Sequence, residues 1–111
     1  MAARLSAHIE VSGIIRAVEA AGGFATVLAK GEKDAGTLLV VCVANSGPAK
    51  LYERMPGLDG SRRFELTRTE NTENKKEFSD YLARRRVQDS DIWIVELDIA
   101  DGERFIDFTG T

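Results

Sequence analysis

The 111-residue chain is 43% hydrophobic and 30% charged, a balance that fits one domain spanning residues 1–111 with a real core and excludes a core-poor, disordered chain. With 15 basic and 18 acidic side chains the net charge is −3, which supplies no overall positive field for nucleic acid or an anionic membrane, and no apolar stretch reaches membrane-spanning length. Cys42 is the single cysteine, so there is no internal disulfide framework, and the opening MAARLSAHIEVSG lacks a continuous apolar export segment; a cytoplasmic protein is expected.

In chain order, residues 4–11 alternate Leu5, Ala7, Ile9 and Val11 with polar neighbours, the period of a one-sided strand. From Val11 the spacing changes to Val11, Ile14, Ile15 and Val18, an amphipathic helix with Ser12 placed to cap it and Gly22–Gly23 to end it. A helix running from Ser6 is the competing reading, weakened by Gly13 in its interior at about 1 kcal/mol relative to alanine. FATVLAK (24–30) reads as a strand, and TLLVVCVA (37–44) as a central strand with both faces covered. NSGP turns the chain into KLYERM (50–55), making a hairpin; after PGLDGSR, RFELT (63–67) is a one-sided strand. A helix is expected from about Glu73 to Arg86 on Phe78, Tyr81 and Leu82. IWIVELDI (92–99) sets Trp93, Val95, Leu97 and Ile99 on one side, and ADGE turns it into RFIDF as a closing hairpin. The sum is an α+β fold: a mainly antiparallel sheet of about five strands with two helices packed on one face.

The segment KGEKDAGTLLVV (30–41) has the glycine spacing of a phosphate-binding loop at Gly31 and Gly36, yet Thr37 stands where the lysine is required. The β-branched run that follows cannot present a helix N-terminus to a phosphate, so the segment reads as a glycine-bounded hairpin loop. Acids in the turns, Glu32, Asp34, Asp98 and Asp101, are candidates for a hard cation or small ligand, and Arg62 and Arg63 for an anionic group on it. No metal set is assigned, because the acids lack EF-hand spacing and one cysteine with one histidine falls short of a zinc site. No catalytic residue is assigned either: Cys42 lies in the most apolar strand, where burial raises a thiol pKa, and His8 falls on a polar side. Arg84, Arg85 and Arg86 splay around a helix end with Glu77 and Asp80 nearby to pair with them.

Taken together, RLSAHI, GGFATVLAKGEKDAGTLLV, KLYERM, RRFEL, DIWIVEL and DGERFID resemble domain of unknown function 1491, a family of small uncharacterised bacterial proteins, over nearly the whole chain. The resemblance rests on Gly22 or Gly23 through Val27, on Gly31 with Ala35 and Gly36, on Leu51 with Tyr52, on Trp93 to Glu96, and on Asp101 to Phe105. The chain departs from the family pattern at Glu10, Cys42 and Phe64. It implies a bacterial, cytoplasmic protein and brings no activity, cofactor or catalytic residue with it. Function is therefore expected to be non-enzymatic: binding of a protein partner, or self-association as a homodimer, through an exposed sheet edge or helix face. The alternative is a ligand- or metal-dependent enzyme acting on a small phosphorylated substrate through the acidic turns. No cofactor is expected, nucleic acid is disfavoured, and no membrane contact is anticipated.

Overall fold

The computed structural model describes residues 6–34, 36–44, 47–56 and 62–106, with backbone only for Met55, Pro56 and Arg62. The order is α1 (Ala7–Ala20), β1 (Phe24–Ala29), β2 (Leu38–Val43), β3 (Lys50–Pro56), β4 (Arg62–Thr69), α2 (Lys75–Gln88), β5 (Trp93–Asp98) and a short 3₁₀ turn, Gly102–Phe105. The five strands form one open sheet in the order β1-β5-β2-β3-β4. Only β2 and β5 run parallel; every other neighbouring pair is antiparallel.

The helix reading from Ser6 is the one realised, and the strand expected over residues 4–11 is not; residues 4 and 5 themselves lie outside the described residues. Two periods fit so short a stretch, and burial decides between them. Ala7, Val11, Ile14 and Val18 form the buried stripe, whereas Ile9, which a strand would have placed beside Ala7 and Val11, is 48% exposed. A tertiary contact fixes the start: the first free helix amides, those of Ala7 and His8, donate to the carbonyls of Asp34 (3.2 Å) and Lys33 (3.0 Å). Gly13 sits on the open side of α1, where a methyl would meet nothing. The helix closes at Gly22 (φ 92°), where the Gly22 amide reaches Glu19 O and the Gly23 amide reaches Val18 O, a Schellman ending.

Segment 30–37 leads into a strand, as the apolar run required, but it is not the loop of a hairpin, because β5 lies between β1 and β2. The segment instead crosses the amino end of β5 and is held there. The Glu32 amide donates to Asp91 O at 3.0 Å, the Trp93 amide to Thr37 O at 2.7 Å, and the Trp93 indole to Glu32 O at 2.7 Å. Gly31 and Gly36 both face the Asp91 carbonyl so closely that any Cβ would collide with it. The two glycines thus serve a close backbone crossing rather than a phosphate.

The continuous run of β2 explains the layering. Leu38, Val40 and Cys42 point to one face, with Trp93, Val95, Leu97, Tyr52 and Phe64, and α1 covers them. Leu39 and Val41 point to the other, with Leu51, Ile92 and Ile94, and α2 covers them through Phe78, Tyr81 and Leu82. The two helices therefore lie on opposite faces, not on one, since a central strand apolar on both sides must be shielded on both. The β2–β3 hairpin forms as expected, and β4 pairs antiparallel with β3, with residues 45, 46 and 57–61 of their turns outside the described residues.

The expected closing hairpin is replaced by a compact turn. Asp101 takes the left-handed conformation (φ 54°), and Gly102–Phe105 winds as 3₁₀ against Cys42 and Leu97. The antiparallel partner of β5 comes from the other end of the chain, β1. Residues 107 and 108 of RFIDF lie outside the described residues. No helix among the described residues is long and apolar enough to cross a membrane.

Candidate functional site

The six sequence-derived candidates separate into three pairs. Glu32 and Asp34 lie in the crossing at the amino ends of β2 and β5, where one Glu32 oxygen accepts the Asp34 amide at 2.9 Å and so closes a local turn. Asp98 ends β5 and Asp101 lies in the turn beyond it, so the two acidic pairs stand at opposite ends of a strand roughly 16–20 Å long. Arg62 and Arg63 begin β4, the outer strand on the far side of the sheet from β1. Among the described residues no group of three or more His, Cys, Asp or Glu side chains is placed to hold a metal ion.

Two polar clusters that the sequence reading missed lock a helix onto each face. On the α2 face Glu53 is only 8% exposed, and its carboxylate accepts from Thr67 Oγ1 (2.7 Å), Tyr81 Oη (3.0 Å) and Arg85. Burial alone would push the Glu53 carboxyl up, but hydrogen bonds from Arg85, Thr67 and Tyr81 more than reverse this and hold it below the usual carboxylate range. The signal was present: Glu53 shares the strand parity of Leu51, and Tyr81 and Arg85 are spaced i, i+4. On the α1 face Glu10 takes both terminal nitrogens of Arg54, whose guanidinium lies 4.4 Å from the centre of the Phe64 ring. Each cluster consumes its charges internally, which suits anchoring better than ligand capture.

At the carboxyl ends of the parallel pair, the position where open sheets commonly take ligands, a crevice of about 210 Å³ is lined by Cys42, Lys50, Asp101, Gly102 and Glu103. Burial, and then the nearby Glu103 charge, push the Cys42 thiol up to about 12, with Lys50 offsetting only part of this. A thiol in that range stays protonated at neutral pH, and Gly102 packs so closely that a Cβ there would sit 3.0 Å from Cys42 Sγ. Cys42 is a packing group here, as its apolar strand implied.

The sheet edges are the more open chemistry. On β4 the edge carries Arg62, Arg63, Glu65 and Arg68, charges of the kind that discourage another strand from pairing. The opposite edge, β1, is FATVLA, without a charge; Phe24 is 71% exposed, and Val27 and Leu28 are exposed beside it. A bulge between Val27 and Ala29 shifts the register at the end of β1, and Ala29 joins the α2-face core. There a groove of about 460 Å³ opens between β1 and the last turns of α2, with Ala29, Lys30, Ala83, Arg86, Val87 and Asp89 along it. Val87 is 87% exposed on its rim. An uncharged edge strand next to a groove with both apolar and charged walls can take up an extended segment, with backbone hydrogen bonds supplying affinity and the groove selecting a side chain.

Comparison with known proteins supports the architecture. The profile of a family described as "Protein of unknown function (DUF1491)" matches residues 5–107. A DUF1491 family protein from Caulobacter crescentus CB15 is similar in its crystal structure at 35% identity and a TM-score of 0.80, covering 93% of this chain and 95% of that one. A solution structure of a protein from A. tumefaciens is similar at 34% identity and a TM-score of 0.78, covering 96% of each chain. No significant match was found among curated proteins.

Proposed function

The chain belongs to the DUF1491 family, and from that premise together with the edge geometry we propose that it is a non-enzymatic interaction domain that binds a protein strand along β1. The observation that carries this reading is the asymmetry of the two edges: β4 is studded with charge, whereas β1 carries none and exposes Phe24, Val27 and Leu28. Strand addition at β1 would extend the five-stranded sheet and cover those side chains. The strand is supplied either by a second copy, giving a homodimer, or by an extended segment of another protein. We place the domain in the bacterial cytoplasm, a setting compatible with the single buried thiol of Cys42.

The test is Thr26→Lys. Thr26 is exposed at the middle of β1, so a lysine there introduces the edge charge that natural sheets use against pairing while leaving the core untouched. Association by light scattering and capture of displayed extended peptides should both be lost, with the thermal midpoint unchanged. Association or capture that survives in Thr26→Lys would remove β1 as the binding edge.

A further inference from the structure

Resting on the edge reading above, we infer that the strand received by β1 belongs to a second copy of the chain, running antiparallel about a two-fold axis near Thr26 and Val27. The support is a charge and shape polarity along this edge that is complementary to its own reverse.

At the amino end of β1 the register pairs Phe24 with Asp98 and Thr26 with Glu96. Directly paired residues share a face, and Ile94 and Ile92, two and four residues before Glu96, lie in the α2-face core, so Phe24, Glu96 and Asp98 all present to the α2 side. This end is an exposed aromatic ring beside two carboxylates. At the carboxyl end, also on the α2 side, is the groove between Ala29 and α2. Its charged lining is Lys30, Arg86 and Asp89, net positive, and its apolar wall includes Ala83 and Val87. One end thus offers a ring and negative charge, and the other a recess and positive charge.

Two strands paired antiparallel in one sheet are related by an axis perpendicular to it, so the α2 faces of both copies stay on the same side. The amino end of each β1 then meets the carboxyl end of the other. Phe24 of one copy comes to the groove of its partner, Asp98 and Glu96 approach the partner's Lys30 and the partner's Arg86, and symmetry makes each contact twice. Parallel pairing about a two-fold along the strands would put the two α2 faces on opposite sides of the sheet, with neither acids nor grooves meeting an opposite charge. β4 offers no comparable polarity, since arginines stand at both its ends, Arg62 and Arg63 at one and Arg68 at the other, with Glu65 between them. A lysine at position 26 would face its own symmetry mate near the axis, which is why Thr26→Lys tests the edge itself.

Charge reversal separates this pairing from the broader edge reading. Sedimentation equilibrium of the wild-type chain should show a dimer. Lys30→Glu or Asp98→Lys alone should weaken it about tenfold or more, because each reversal turns two facing pairs repulsive at once. Mixing the two single variants should restore a one-to-one heterodimer, in which both contacts are again between opposite charges. Phe24→Ser should weaken the dimer with no loss of thermal stability. A wild-type chain that stays monomeric to about 0.5 mM, above the weak end of specific association, overturns the inference. So does a dimer indifferent to both reversals, or a mixture that fails to recover. If in those cases Thr26→Lys still abolishes peptide capture or association, the edge reading stands and only the second-copy pairing falls; if Thr26→Lys changes nothing, both fall.

Discussion

Replacing Arg85 by methionine probes the buried carboxylate of Glu53 most directly. Methionine keeps much of the side-chain length and leaves Glu53 with the Thr67 and Tyr81 hydroxyls as its remaining donors. Removing one partner of a buried pair costs about 3–5 kcal/mol, and two surviving donors together with the 24% exposure of Arg85 lower the expectation here to about 2–3 kcal/mol. In a domain of this size that corresponds to a fall in Tm of roughly 10 °C. Urea unfolding followed by the fluorescence of Trp93, the single tryptophan, measures it. The pH dependence carries the sign. The folded carboxyl of Glu53 is held below its unfolded value, so its stabilisation is present above the unfolded pKa and disappears as pH falls through the folded one. Without Arg85 the upward push of burial is less opposed. Wild type and variant should therefore differ most at neutral pH and converge as the pH falls through the folded Glu53 value, below the usual carboxylate range. A difference under about 0.5 kcal/mol at neutral pH, or one equally large in acid, would refute the assignment of Glu53 as an ionised anchor.

Three further outcomes follow from named contacts. Gly36→Ala forces a methyl against the Asp91 carbonyl and to 2.8 Å from Trp93 Cδ1, so it should destabilise by about 2 kcal/mol or more and shift Trp93 emission, whereas Gly13→Ala, which meets nothing, should stabilise by up to about 1 kcal/mol in the same urea assay. Cys42, with its thiol pushed up to about 12 and covered by Gly102, should react with a disulfide reagent near pH 8 only at the rate of unfolding, and a rapid native-state reaction would contradict its packing role. Millimolar magnesium or manganese should leave Tm within about 1 °C, because the two acidic pairs occupy opposite ends of β5, and a larger rise would show a cation site formed at one of those ends.

Much of the architecture was legible in the sequence because local patterns carried it. The unbroken apolar run of β2, the extended segment of β5, the β2–β3 hairpin and the Phe78–Leu82 spacing of α2 all became the elements they describe, although β5 is buried on both faces through Ile94 as well as Trp93, Val95 and Leu97. The same β2 run already implied cover on both faces, and α1 and α2 supply one layer each. The strand reading of residues 4–11 failed because an eight-residue window satisfies two periods, and the amides of Ala7 and His8 are taken up by carbonyls some 25 residues away. Arg85 looked solvated since its partner lies on another element, on a strand position where a glutamate shares the parity of leucine.

The amino-acid order by itself determined that the run after Gly36 extends, that the Phe78–Leu82 stretch coils and that Cys42 sits in an apolar strand, so that Gly36 feeds a strand rather than a phosphate-binding helix; side-chain sterics and burial act over a few residues and need no distant partner. Only the tertiary structure decided that β5 inserts between β1 and β2, that the last strand pairs with the first, and that an uncharged β1 becomes an edge with acid at one end and a basic groove at the other. Strand order depends on which long-range pairings close with the best burial, a comparison no local window contains.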